Sequence, residues 1–213
     1  MAGDIAEDGR MRLHWSPFSP FVRKVLVVAH EHGIADRIRL VRTPASMSSA
    51  NAAILPDNPL GRLPTLVLPD GTGIFDSRVI YRHLDSIGLG PRLMPPEGRP
   101  LLEAMRAEAM GHGLCELFVL WRNERGRAAT LQSEPHLAAF AVKTATTLDR
   151  LEMEAEARAA EPFDFGHVST GCGLAYCDFR FPDLEWRKGR PRLSAWHEAF
   201  AARPSALATA IPA

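Results

Sequence analysis

The segment from Asn58 to Ser77, NPLGRLPTLVLPDGTGIFDS, constrains the fold of this chain more than any other. Two short apolar runs, Thr65–Leu68 and Ile74–Phe75, are separated by a Pro-Asp-Gly turn, which is typical of an antiparallel hairpin. Pro64 cannot donate a backbone hydrogen bond, so it belongs at a strand start, and its X-Pro bond is a candidate cis bond. The second run ends at the pair Asp76–Ser77, where a helical pattern begins. The segment therefore predicts a β-β-α unit.

The residues before this hairpin predict a β-α-β unit. Met11 to Trp15 alternates as a strand does, Phe21 to His32 repeats apolar residues at helical spacing, and Ile38 to Val41 alternates again. A weak, short helix is expected near Ser48 to Ile54, and the helix after the hairpin is expected to end at Ile87. The predicted order is β-α-β-α-β-β-α, with the first two strands parallel, which is the order of the thioredoxin fold.

A change of composition divides the chain. The stretch from Gly88 to Pro100 contains four prolines and three glycines, as interdomain linkers do. Beyond it no strand signal occurs, and helical patterns cover Leu101–Arg125, His136–Ala160, His167–Phe179 and Leu193–Ala202. We therefore predict an α/β thioredoxin-like domain over residues 11–90, a linker over 91–100 and an all-α domain over 101–213.

Composition excludes several functional classes. Lys+Arg and Asp+Glu both number 25, so the chain lacks the basic excess of a general nucleic-acid or membrane-surface binder. No apolar run approaches the roughly 18 residues of a transmembrane helix. The first ten residues lack the features of a signal peptide, which favours a cytoplasmic location. They are expected to form a short disordered leader. The three cysteines (Cys115, Cys172 and Cys177) form no CxxC motif or metal-ligand spacing, so free thiols and no metal site are expected.

Two serines lie at the predicted loop-to-helix junction, in SPFSPFVRK from Ser16 to Lys24. The N–H groups of a first helical turn and the helix dipole favour negative charge nearby. A bound thiol at this position would be shifted towards thiolate, as protein cysteines are at helix starts, and a serine hydroxyl could donate a hydrogen bond to it. Taken alone, Ser19 followed by Pro20 is better explained as an ordinary helix cap.

The pair Asp76–Ser77 has a similar double interpretation. The N–H and hydroxyl of Ser77 at a helix N-terminus suit a carboxylate, and the carboxylate of Asp76 suits an ammonium group. Together they would match the two charged groups of an α-amino acid. Alone, the pair is also explained as a plain helix cap.

The opening LHWSPFSPFVRKVLVVAHEHGI, the hairpin segment and the late stretch GLAYCDFRFPDLEWRKGRPRLSAWHEAFAARPS together resemble the bacterial, serine-type glutathione S-transferases. The resemblance implies that Ser19 activates the glutathione thiol, with Ser16 as the alternative. It also implies that Phe21 and the backbone at Leu63–Pro64 contact glutathione, with Leu63 pairing with the cysteinyl residue. Asp76–Ser77 would bind the γ-glutamyl end, although the family usually has glutamate in place of Asp76.

The resemblance further implies a reaction and an assembly. Glutathione would be the co-substrate, and its thiolate would attack a small apolar electrophile held against the helical domain of a homodimer. Serine at both junction positions favours this attack over the mixed-disulfide chemistry of a cysteine. A glutathione-dependent isomerase, peroxidase or dehalogenase, and a non-catalytic glutathione-binding or scaffold protein, remain as alternatives. One departure is Asp164–His167, where the family commonly has an S/T-x-x-D capping box, so a weaker helix start is expected there.

Overall fold

The computed structural model describes residues 9–212, and the expected leader falls almost entirely outside them. The described chain forms two compact units. One comprises the residues up to Arg92 together with those from Ala208 onward, and the other comprises Leu93–Leu207.

The first unit is a mixed α/β structure. Its four-stranded sheet has the order β2-β1-β3-β4, in which β1 and β2 are parallel and the pairs β1–β3 and β3–β4 are antiparallel. This arrangement confirms the predicted parallel β-α-β unit and the hairpin. The elements are β1 (Met11–Trp15), α1 (Pro20–Glu31), a short 3-10 helix (Ala35–Arg37), β2 (Ile38–Arg42), β3 (Thr65–Val67), β4 (Gly73–Ile74) and α2 (Ser77–Ile87).

The two helices of this unit pack against each other through apolar faces. Val25 and Val28 of α1 and Ile80 and Leu84 of α2 are fully buried, and so is Leu13 of β1. The helical spacing in the sequence places these residues on one stripe of each helix. These residues form the apolar core of the first unit.

The prediction of a weak, short helix near Ser48 to Ile54 is wrong, because this segment forms bends and turns. The Asn51 side chain donates to the Pro44 carbonyl and accepts from the Ala53 N–H, both at 2.9 Å. A side chain that bonds its own backbone in this way offers an alternative to helical hydrogen bonds. Pro56, which follows closely, has no N–H to extend a helix.

The second unit is helical throughout, as predicted. Helix α3 begins three residues earlier than its pattern indicated. The last short helix was not predicted, because Pro204 was interpreted as the end of the preceding helix, whereas proline is well tolerated at a first helical position. The helices are α3 (Gly98–Arg125), α4 (Glu134–Ala159), α5 (Phe165–Arg180), α6 (Pro191–Ala201) and α7 (Pro204–Ala208), the last of which reaches the boundary of the unit.

Helix α5 is the buried centre of this unit, and α3 approaches it closely. A Cβ added to Gly111 of α3 would lie 2.4 Å from the backbone nitrogen of Thr170, so only glycine permits this approach. The tight contact explains why a glycine stands in the interior of a long helix, where it would otherwise be unfavourable.

The start of α5 corrects one expectation. Asp164 accepts from the backbone N–H of His167 at 3.0 Å, and His167 Nδ1 lies 3.2 Å from the Asp164 backbone nitrogen, so a complete capping box forms with histidine as the second member. Burial acts to raise the pKa of Asp164, but hydrogen bonds from His167 and Arg158 outweigh it and lower the pKa. The helix start is therefore well satisfied.

Candidate functional site

Strand register brings the predicted site residues to one edge of the sheet. His14, next to the end of β1, pairs with Thr65, the first residue of β3. Ile74, the last residue of β4, pairs with Leu66 of β3. Three segments therefore meet at the same edge of the sheet. The segment after β1 contains Ser16 and Ser19, the segment before β3 contains Leu63–Pro64, and the segment after β4 contains Asp76–Ser77.

Ser19 is the N-cap of α1. Its Oγ accepts the backbone N–H of Val22 at 3.3 Å, and its carbonyl accepts the N–H of Arg23 at 3.0 Å. Because the hydroxyl accepts from the helix, its own proton remains for donation to another group. Ser16 lies in the same loop, where its Oγ accepts the N–H of Phe18 at 3.4 Å. Both serines are partly exposed.

Leu63 and Pro64 lie immediately before β3. The Leu63–Pro64 peptide bond is cis, as is the Phe75–Asp76 bond on the neighbouring segment. Pro64 is buried, whereas Leu63 is partly exposed at the sheet edge. The backbone of Leu63 is not part of the β3–β4 or β1–β3 pairing.

Asp76 and Ser77 form the N-terminus of α2. The carboxylate of Asp76 accepts the N–H of Arg78 at 2.9 Å, which confirms the predicted N-cap, and the side chain is half exposed. Ser77 is only 1% exposed, and among the described residues its hydroxyl has no hydrogen-bond partner. A buried hydroxyl at a helix N-terminus is a ready donor to an anion, because the helix dipole adds to it.

Phe21 lies one residue after Pro20, in the first turn of α1, and is partly exposed. Its ring is 5.7 Å from the ammonium nitrogen of Lys24, which is fully buried and also lies 5.5 Å from the ring of Tyr81. Phe21 therefore belongs to the packing between α1 and α2 beside the Ser19 cap.

Arg42, the last residue of β2, is a member of this edge that sequence reasoning missed. It pairs in register with Trp15, and its guanidinium lies 5.9 Å from the Trp15 ring and 5.7 Å from the Phe18 ring. Arg42 is exposed, so a cation stands beside the serine loop. Its position as the terminal residue of a strand parallel to β1 was the available signal.

Other kinds of site receive no support from the described part of the chain. Within residues 9–212, no group of three or more His, Cys, Asp or Glu side chains could hold a metal ion, and no helix is long and apolar enough to cross a membrane. The three cysteines are free and buried, which confirms the free-thiol prediction, and burial raises the pKa of the Cys177 thiol. None of the three cysteines lies on the segments that form this edge.

Comparison with known proteins gives one consistent result. Residues 18–87 match the N-terminal domain of glutathione S-transferases and residues 134–199 match the C-terminal domain. A glutathione transferase family member from Pseudomonas fluorescens Pf-5, solved with bound glutathione, is 40% identical, with a TM-score of 0.92 over 95% of this chain and 100% of the other. A glutathione S-transferase from Methylobacillus flagellatus KT with glutathione bound is 30% identical, with a TM-score of 0.85 over the same shares. The uncharacterised GST-like protein YibF of Escherichia coli K12 is 28% identical over 95% of this chain and 99% of its own length.

Proposed function

The chain belongs to the glutathione S-transferase family, and from this premise we propose that it binds glutathione at the described sheet edge and activates its thiol. The bound thiol loses its proton to solvent, and the thiolate attacks an electrophilic carbon of a small apolar substrate. A C–S bond forms as the bond from that carbon to its leaving group breaks, which gives a thioether. The proposal assigns Ser19 to the sulfur, with Ser16 as the alternative, and Asp76 and Ser77 to the γ-glutamyl end.

The observation that carries this proposal is the buried hydroxyl of Ser77 at the N-terminus of α2, which has no hydrogen-bond partner within residues 9–212. Within the same unit, the exposed carboxylate of Asp76 stands one residue before it. A donor for a carboxylate and an acceptor for an ammonium group are thus adjacent, as an α-amino acid requires. The γ-glutamyl residue of glutathione has these two groups.

Ser19 supplies the conditions for thiolate formation. A free thiol has a pKa near 8.5, and lowering it by about two units requires roughly 2.7 kcal/mol of preferential stabilisation of the thiolate. One hydrogen bond to a charged group contributes about 1.5–3 kcal/mol, and a helix N-terminus adds about 0.3–1 kcal/mol. The Ser19 hydroxyl and the first turn of α1 together therefore suffice.

The remaining parts of the tripeptide have counterparts at the same edge. In this proposal the backbone of Leu63, a partly exposed residue, pairs with the cysteinyl residue, and Phe21 lies beside the Ser19 turn. The exposed guanidinium of Arg42, held over Trp15 and Phe18, provides a cation for a further carboxylate.

An S-substituted ligand in a relative supports transfer to sulfur. The Pseudomonas fluorescens family member was also solved with S-(propanoic acid)-glutathione, and that structure is 38% identical to this chain with a TM-score of 0.88. A thioether of this kind is what an alkyl transfer to the glutathione sulfur produces. We extend this reaction class to the present chain, with an apolar electrophile.

Calorimetric titration with glutathione tests binding, and ultraviolet absorbance of the bound thiolate tests activation. The wild-type protein should release or absorb measurable heat at millimolar glutathione and should increase thiolate absorbance near neutral pH. Ser19→Ala should lose the absorbance while binding persists, and Ser16→Ala should retain both. No heat with wild type would refute the proposal, whereas loss of absorbance only in Ser16→Ala would transfer the role to Ser16.

The proposal includes a homodimer, which the family resemblance implies. Sedimentation velocity at micromolar concentration should give a single species of twice the chain mass. A monomer that nevertheless binds glutathione would remove the dimer from the proposal without affecting the site.

A further inference from the structure

A polar cluster lies on one face of the sheet, outside the residues assigned to glutathione. His14 Nδ1 lies 2.8 Å from Thr43 Oγ1, and His14 Nε2 lies 2.8 Å from Asp57 Oδ2. The same Asp57 oxygen is 3.3 Å from a guanidinium nitrogen of Arg12. His14 is 3% exposed, so both ring nitrogens are satisfied inside the protein and the ring is fixed in orientation.

Asp57 leads directly into the turn that carries Leu63. The buried side chain of Asn58 donates to the Arg62 carbonyl at 3.2 Å and to Thr65 Oγ1 at 2.9 Å, and it accepts the N–H of Leu60 at 2.9 Å. One side chain therefore closes the turn over residues 58–65, and Leu63 is held within that closed turn. The position of the turn depends on what anchors its first residues.

Two contacts provide that anchor. The side chain of Asp57 is tied to β1 through His14 and Arg12. Its backbone carbonyl lies against β4, because a Cβ added to Gly73 would be only 2.2 Å from that oxygen. The coil before β3 is thus held to two strands of the sheet at a single residue.

On the basis of the proposed glutathione site, we propose that His14 and Asp57 are positioning residues that fix the 58–65 turn so that Leu63 can receive the tripeptide backbone. In this proposal neither residue contacts glutathione itself, because their polar side-chain atoms meet Thr43, Arg12 and each other. Their removal lets the turn shift relative to β1, so glutathione must bind to a turn that is in place only part of the time. The apparent affinity then falls in proportion to that fraction.

The same unit contains a matched control. Asp85 is 5% exposed, and its Oδ1 lies 2.9 Å from His32 Nε2. It also forms an ion pair with Arg92 at 3.7 Å, so its partners are a histidine and an arginine, as they are for Asp57. This pair joins the ends of α1 and α2 and does not involve the 58–65 turn. Asp57→Asn and Asp85→Asn therefore remove equivalent carboxylates at different places.

The experiment compares these two variants with wild type. Kd for glutathione is measured by calorimetry, KM and kcat with a chlorodinitrobenzene probe, and Tm by calorimetric melting. Asp57→Asn should raise Kd and KM for glutathione about tenfold with kcat unchanged at saturation, a loss of about 1.4 kcal/mol in binding. Asp85→Asn should lower Tm by about as much as Asp57→Asn does, but it should change Kd for glutathione by less than about twofold.

Thr43→Val provides a milder variant if Asp57→Asn does not fold. It removes the hydroxyl that meets His14 Nδ1 and that also donates to the Val41 carbonyl at 3.1 Å, while the contact of His14 with Asp57 stays in place. This variant should raise Kd about threefold at an unchanged kcat. If the Asp57→Asn and Asp85→Asn variants weaken glutathione binding equally, or neither does, the positioning role is wrong while the proposed function stands. If wild type itself does not bind glutathione, the proposed function fails and this inference fails with it.

Discussion

Replacing Ser77 by alanine should affect binding and stability in opposite directions. In the free protein the buried hydroxyl of Ser77 has no partner among the described residues, so its removal eliminates a desolvation cost of about 1–3 kcal/mol. We expect Tm to stay level or rise. In the complex the same hydroxyl would bond a carboxylate, which contributes about 1.5–3 kcal/mol, so Kd for glutathione should rise roughly 10- to 150-fold.

The matched control is Ser86→Ala, at the other end of the same helix. The Ser86 hydroxyl is exposed and donates to the His83 carbonyl at 2.7 Å, so its loss should leave Kd unchanged. Calorimetric titration and melting of wild type and both variants provide the comparison. A Ser77→Ala protein that binds glutathione within about twofold of wild type would refute the reasoning, as would a large loss of stability with no change in Kd.

Three further predictions concern charge, packing and pH. Asp76→Asn keeps an N-cap of equal quality, so the free energy of unfolding measured in urea should change by only a few tenths of a kcal/mol. Loss of the charge should raise Kd for glutathione about tenfold in a titration. Gly111→Ala should lower the free energy of unfolding measured in urea by about 1–3 kcal/mol, because the added Cβ would meet Thr170. Gly113→Ala should raise it by about 0.5–1 kcal/mol, because a Cβ there has nothing within 4 Å. The pKa of Asp164 is lowered in the folded protein, so stability should be lost as pH falls below about 4 and through that lowered pKa, and Asp164→Asn should show a shallower acid loss in melting experiments.

Local patterns predicted the fold well where a segment determines its own structure. Strand β1 has the predicted bounds, Met11–Trp15, because alternation and the following breakers are both present in the sequence. Asp76 caps α2 as predicted, because an N-cap bond is made within three residues. One failure occurred where a side chain redirects the backbone, as Asn51 does in the segment that was expected to be helical.

The candidate site could be assembled from the sequence only in part. Ser19 and Ser77 were selected because each stands at a predicted helix start, and those starts exist. Arg42 was missed because the second strand was predicted to end at Val41, one residue too early. The pairing of His14 with Asp57 involves a coil more than 40 residues further along the chain, so no local pattern predicts it. Their roles follow only from the three-dimensional arrangement.

A crystal structure of the protein soaked with glutathione would test the central claim most directly. The account predicts density for the tripeptide at the sheet edge, with its sulfur within hydrogen-bond distance of the Ser19 hydroxyl. The γ-glutamyl carboxylate should meet the Ser77 hydroxyl, and the cysteinyl backbone should pair with Leu63. Glutathione bound elsewhere, or a γ-glutamyl carboxylate that does not reach Ser77, would contradict it.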